Sequence, residues 1–222
     1  MRRLALTAAI LLSASGVPLA QEWMDYENKE DRFTVNFPGQ PKVETVTWPS
    51  EYGATFQGRT YSVTVPGGAR YAITVIDYTQ SRQRHAELQK NQANQQVMYA
   101  DIDTMASIQY AATRLYRKKA GSTVTYDAWH YIDLVEGHQL QLTNPDGART
   151  FASIYLHENR LYILDATVPR GAPQPGLFQQ SLSFLDEKGE RVRYNEIYSN
   201  RLPPRPARGA GQGGGGGRGN NQ

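Results

Sequence analysis

From residue 32 the chain alternates. Phe33, Val35 and Phe37 fall on one side and Arg32, Thr34 and Asn36 on the other, which is the period of a half-buried strand. Pro38 and Gly39 end it. Residues 42–48 alternate again, with Val43 opposing Glu44, until Pro49. Residues 56–65 set Tyr61, Val63 and Val65 against Thr60, Ser62 and Thr64. A turn at Pro66, Gly67 and Gly68 leads into residues 71–78, rich in β-branched and aromatic side chains. This stretch predicts an antiparallel meander with short connections.

The character changes at Ser81. No proline or glycine occurs through Lys119, and good helix formers dominate. Ile102, Met105, Ile108, Ala112 and Leu115 recur at steps of three and four, which predicts one apolar helix stripe turned to the core. Residues 83–96 are more polar and predict a short helix or a lead-in. Strands return after Gly121. Residues 123–134 place Val124, Tyr126, Ala128, His130 and Ile132 on one side. Residues 139–143 and 149–157 flank Asn144, Pro145, Asp146 and Gly147, a hairpin signature. His157, Glu158 and Asn159 make a second turn into residues 160–168, where Tyr162, Leu164, Ala166 and Val168 share a face. Phe178, Leu182 and Leu185 stand at helical steps, so residues 176–186 predict a closing helix. The order strands, helix, strands, helix is that of an α+β domain, with helices packed on a largely antiparallel sheet.

The two ends read differently. Arg2 and Arg3 precede the apolar run 4–12, and small residues follow, the order of a secretory signal peptide. The run is about half of the roughly 20 apolar residues a membrane-spanning helix needs. Cleavage is expected after Ala20 or after Gly16. The expected organisation is a signal peptide at 1–20, a globular domain at 21–190 and a disordered tail rich in Pro, Arg and Gly at 191–222. The net charge of +3 comes from the ends. Arg2, Arg3, Arg201, Arg205, Arg208 and Arg218 lie where no acid accompanies them, and the middle is left slightly acidic. The sequence pI of ≈ 9.0 therefore does not argue for a domain that binds nucleic acid. With no cysteine, disulfides, thiolate metal sites, a cysteine nucleophile and a lipoprotein anchor are all excluded. A periplasmic or secreted bacterial protein, without a transmembrane segment in the mature chain, is the expectation.

Residues 31–41 carry the pattern F-x-V-x-F-P-G-x-P through Phe33, Val35, Phe37, Pro38, Gly39 and Pro41. This opening resembles exported bacterial domains of the PsbP/Mog1-like fold. Residues 160–164 resemble their penultimate strand and residues 178–184 their closing helix, so the resemblance spans residues 21–185. It implies an α/β/α-like sandwich around an antiparallel sheet and carries over no catalytic residue. Such domains are mostly of unknown role, and the plant photosystem member is an accessory binding protein.

Candidate chemistry is sparse. None of His85, His130, His138 and His157 forms a helical His-x-x-x-His pair. His130 lies between Asp127 and Asp133, but alternation sends those acids to the opposite face. No G-x-S-x-G elbow, phosphate loop or dinucleotide fingerprint occurs. Asp165 interrupts an apolar strand and is expected to be satisfied or at a solvent edge. Tyr110, Tyr116, Tyr126, Tyr131, Tyr155 and Tyr162 could line a groove, although tyrosine also suits a sheet with one wet face. Arg208-Gly209 and Arg218-Gly219 lack interleaved aromatics and read as parts of a solvated spacer. No catalytic, cofactor-binding or metal-binding residue is expected. The expected role is a non-enzymatic binding or accessory protein of the cell envelope. The alternatives are a basic tail that contacts anionic polymer or lipid, and an enzyme with an unrecognised site.

Overall fold

The structure, a computed structural model, describes residues 22–91, 99–198 and 200. The expected signal peptide and the tail from residue 201 lie outside the described residues. In chain order the elements are β1 (Met24–Asn28), β2 (Phe33–Phe37), β3 (Lys42–Pro49), β4 (Thr55–Thr64), β5 (Arg70–Asp77), α1 (Ser81–Asn91) and α2 (Tyr99–Ala111). A π-helix (Ala112–Arg117) continues α2. Then follow β6 (Thr123–Ile132), β7 (Val135–Thr143), β8 (Arg149–His157), β9 (Arg160–Val168), α3 (Gly176–Gln180) and β10 (Ser183–Phe184).

Strands β3 to β9 form one sheet in the order β3-β4-β5-β9-β8-β7-β6, and every pairing is antiparallel. The central strands β5, β9 and β8 read as nearly continuous apolar runs because both of their faces are buried. On one face, α1, α2 and the π-helix cover a core that includes Phe56, Tyr78, Ile108, Leu140 and Ile163. On the other, β1-β2-β10 and α3 cover an aromatic core of Phe33, Phe37, Tyr61, Tyr162, Phe178 and Phe184. The α+β class is therefore as expected. The layer opposite the helices is a small sheet carrying one short helix, where the resemblance implied helices on both sides. Close approach is required at Gly137 in β7, where a Cβ would run into the Tyr155 ring and the Ile154 carbonyl.

Four details depart from the sequence reading. The first is the face of α2. Its buried residues are Ala100, Asp103, Thr104, Ser107, Ile108 and Ala111. Ile102, Met105 and Leu115, three members of the expected stripe, are exposed. Small side chains let the helix approach the sheet. Their polar atoms are satisfied locally: Thr104 Oγ1 donates to the Ala100 carbonyl at 2.8 Å and Ser107 Oγ to the Thr104 carbonyl at 2.7 Å.

The second is a bulge between Val124 and Tyr126. It leaves Val124 on the helical face and sends Tyr126, Ala128, His130 and Ile132 to the other. The third is the closing helix. It stops at Gln180, and Ser183–Phe184 pairs with β2 instead, placing Phe184 against Tyr162 and His157.

The fourth is the boundary expected at residue 190. Described residues beyond it are packed. Two strand connections, at Asp133-Leu134 and Glu158-Asn159, turn on consecutive positive-φ residues without glycine. The C-terminal segment braces both. Tyr198 N–H donates to the Leu134 carbonyl at 2.9 Å, and the Tyr198 hydroxyl accepts from Glu158 N–H at 3.0 Å. Arg193 Nη1 pairs with Asp133 at 2.7 Å, and Asn200 bonds Asn159. Residues 191–198 and Asn200 thus belong to the folded domain.

Candidate functional site

The helical layer does not cover the whole sheet. α2 packs on β7 and β8, and the π-helix on β7. Among the described residues the edge strand β6 is covered only at Val124 and where Arg117 meets Asp127. On its helix-side face the strand presents Asp127, Trp129 and Tyr131. A groove of ≈ 150 Å³ runs between α2 and β6, lined by Met105, Ile108, Trp129, Leu156, Tyr198 and Glu136. Trp129 is 57% exposed and Met105 60%.

The indole of Trp129 is held from beneath. It meets the His138 ring edge-on, with centroids 5.3 Å apart and planes at 76°. His138 is buried in a charged clamp. Arg117 gives Asp127 a forked pair, Nε to Oδ2 at 2.6 Å and Nη2 to Oδ1 at 2.9 Å. The Gln109 carbonyl accepts from Arg117 Nη1 at 2.9 Å, so its amide NH₂ faces His138 Nδ1 at 3.3 Å. His138 Nε2 meets both Asp127 Oδ1 and, at 2.9 Å, Arg117 Nη2. The Asp127 carboxyl is pushed down to about 2, first by its hydrogen bond from Arg117 and then by His138. The π-helix sets this clamp up. Its wider turn, marked by Lys118 N–H reaching the Thr113 carbonyl at 3.1 Å, places Arg117 over β6 and β7.

A second cluster lies at the other side of the π-helix. Asp165 of β9 accepts from the buried Tyr116 hydroxyl at 3.0 Å, and Arg70 lies 3.9 Å away. Burial raises the Asp165 carboxyl above its ordinary range. A recess of ≈ 200 Å³ opens beside it. This carboxyl could hold and release a proton. Asp165 is thus partnered, as expected, and at a solvent edge.

A third cluster is closed to solvent. Asp103 Oδ2 accepts from Ser50 Oγ at 2.5 Å and meets His85 Nε2 at 2.9 Å. All three side chains are buried. The Asp103 carboxyl sits between serine and histidine, so the serine is not joined to the histidine, and the order is wrong for a nucleophilic triad. Asp103 Oδ1 and His85 Nδ1 have no partner among the described residues. Sequence reading missed this cluster because its members come from three separate segments.

The remaining candidates scatter. His130 Nδ1 meets the Tyr155 hydroxyl at 2.8 Å, on the face opposite Asp127. His157 stacks on Phe184 at 4.4 Å and its Nε2 meets the Tyr194 hydroxyl at 2.7 Å. Tyr155, Tyr162 and Tyr116 are core residues, so the six tyrosines do not line one groove. Tyr126 and Tyr131 are exposed, one on each face of β6.

Among the described residues no helix is long and apolar enough to cross a membrane. No protein-family model matches this chain, and no curated protein matches it. Among solved structures it is similar to cyanobacterial PsbP (CyanoP) from Synechocystis sp. PCC 6803. The two are 11% identical, the match covers 78% of this chain and 98% of that chain, and the TM-score is 0.43.

Proposed function

We propose that this chain is an exported, non-enzymatic binding or accessory module of the cell envelope, and that it takes a protein partner along the groove between α2 and β6. One observation carries the reading. The edge strand β6 exposes Trp129 and Tyr131 on the face it shares with the exposed Met105, and Tyr126 on the other, while its backbone edge is unpaired among the described residues. Exposed aromatics on a free strand edge are what a strand-adding or groove-filling partner uses. The opposite edge, β3, is blunted by Lys42, Glu44 and Pro49.

Capture from a native envelope fraction tests this. Wild-type protein should retain a discrete partner that Trp129→Ala and Met105→Lys lose; equal capture by all three would refute the groove. A mature mass equal to the precursor mass would refute export by a cleaved signal. A second reading rests on Asp165, whose raised carboxyl in an open recess could serve an enzyme as acid or base. Turnover in a broad hydrolase screen, abolished by Asp165→Asn, would favour it.

A further inference from the structure

A separate cleft, of ≈ 480 Å³, lies along the outer side of α2 and the π-helix, lined by Glu51, Gln109, Tyr110, Thr113, Arg114 and Lys118. Its charge is unusual for this chain. No acidic residue occurs between Asp103 and Asp127, and that stretch contains Arg114, Arg117, Lys118 and Lys119. Arg117 is neutralised by Asp127, and the Lys119 ammonium meets the Asn144 amide oxygen at 3.0 Å. Arg114 and Lys118 are exposed and have no ion pair among the described residues. Glu51, the one acid in the lining, is within ion-pair distance of neither.

Beneath the cations lies a fixed aromatic shelf. Trp48 is buried, and its indole N–H donates to the Tyr78 hydroxyl at 2.9 Å, which pins the ring. Tyr110 meets Trp48 edge-on at 5.8 Å. The Arg114 guanidinium sits 5.8 Å from the Trp48 ring centre and 5.9 Å from that of Tyr110. Arg114 Nη1 donates to the Tyr110 hydroxyl at 3.3 Å, and a guanidinium resting on ring faces keeps its other in-plane N–H donors for a planar oxyanion. The helix end does not require these cations. Its last carbonyls already accept backbone N–H groups, from Lys118 to Thr113 at 3.1 Å and from Lys119 to Tyr116 at 3.1 Å.

We infer that this cleft binds a small organic oxyanion, a carboxylate or phosphate monoester with a flat apolar body, the anion held by Arg114 and Lys118 and the body against Tyr110. The volume suits such a molecule, since small-molecule sites run from about 300 Å³ upward. Recognition does not involve Trp129; Gln109 is the lining residue that the cleft shares with the partner groove.

Calorimetric titration of the purified full chain tests it, with benzoate, inorganic phosphate and acetate as probes. Benzoate should bind saturably, with one site per chain, and more tightly than phosphate or acetate. Affinity should fall about tenfold or more in Arg114→Ala/Lys118→Ala and decline with added salt. Tyr110→Leu keeps both charges and should erase the preference for benzoate. Trp129→Ala should bind benzoate as wild type does. Absence of saturable binding, equal affinity for all three anions, or benzoate binding unchanged in Arg114→Ala/Lys118→Ala would each overturn the assignment. Thermal melts of each variant ensure that lost binding is not lost folding, and Arg114→Gln alone replaces the double variant if that unfolds.

Discussion

The two faces of the seven-stranded sheet use different chemistry. Under the small sheet, aromatic rings interlock: Phe33 on Tyr61 at 5.1 Å, Phe37 on Phe178 at 5.4 Å, Tyr162 on Phe184 at 5.2 Å. Buried polar groups there include His157, stacked on Phe184, and Asp31. Asp31 accepts from Arg59 Nε at 2.8 Å and from the Tyr61 hydroxyl at 2.5 Å, and its carbonyl accepts from the Tyr162 hydroxyl. Under the helices, the buried polar groups Ser50, His85 and Asp103 form one connected cluster, and among the described residues the layer stops short of β6. The aromatic face closes the fold. The helical face leaves chemistry and apolar surface available, and both proposed binding sites lie on it. Large rings gain about 0.5–1.5 kcal/mol per pair beyond their burial, so one layer can carry the closure while the other is built for contact.

The largest effect that would separate the faces is truncation of Phe184. Phe184→Ala should lose about 3–5 kcal/mol in urea unfolding, against about 2 kcal/mol for Ile108→Ala under the helices. Equal losses would erase the contrast.

The next effect is a pH dependence on the aromatic face. Burial, with Arg160 and Arg32 nearby, pushes the His157 ring down to about 4. An unfolded histidine takes its proton near 6.5, so between these values the unfolded chain binds more protons than the folded one. Stability should be full above about 6.5 and fall as pH drops towards 4, by on the order of 3 kcal/mol. His157→Leu should flatten that slope in urea melts at neutral and acid pH.

A smaller change is expected from Asp103→Leu, which strands the Ser50 hydroxyl and His85 Nε2 inside the helical face. About 2 kcal/mol should be lost in the same melts. Adding His85→Leu should return part of it, because the second change removes a stranded donor. Least of all, Trp129→Ala should stay within about 0.5 kcal/mol of wild type in thermal melts while abolishing partner capture. A large destabilisation there would make Trp129 a packing residue.

Much of the fold was legible because alternation is a local signal. The opening strand, the meander to residue 78 and the Asn144 to Gly147 hairpin all announce themselves by period and turn residues. Other features gave no local sign. The turn at Asp133-Leu134 carries no glycine and is braced by Tyr198 and Arg193 from far along the chain. The candidate sites were hardly legible at all. Asp165 stood out as a charge in an apolar strand, but His85 with Asp103, and Arg114 with Trp48, meet only across the fold.

The sequence by itself determined the α+β class and the alternation of the strands, because backbone geometry imposes the period of two on any chain that buries one side of a strand. It also excluded cysteine chemistry outright. The tertiary structure decided which side of α2 faces inward, because small residues whose hydroxyls bond carbonyls of their own helix can pack closer to a sheet than Met105 or Ile102. It decided that helix 176–186 would give way to a strand, since Phe184 is better buried between Tyr162 and His157 than on a helix. It also decided that β6 is an edge that no strand pairs among the described residues, because the helical layer packs on β7 and β8, a matter of layer size that no local pattern records.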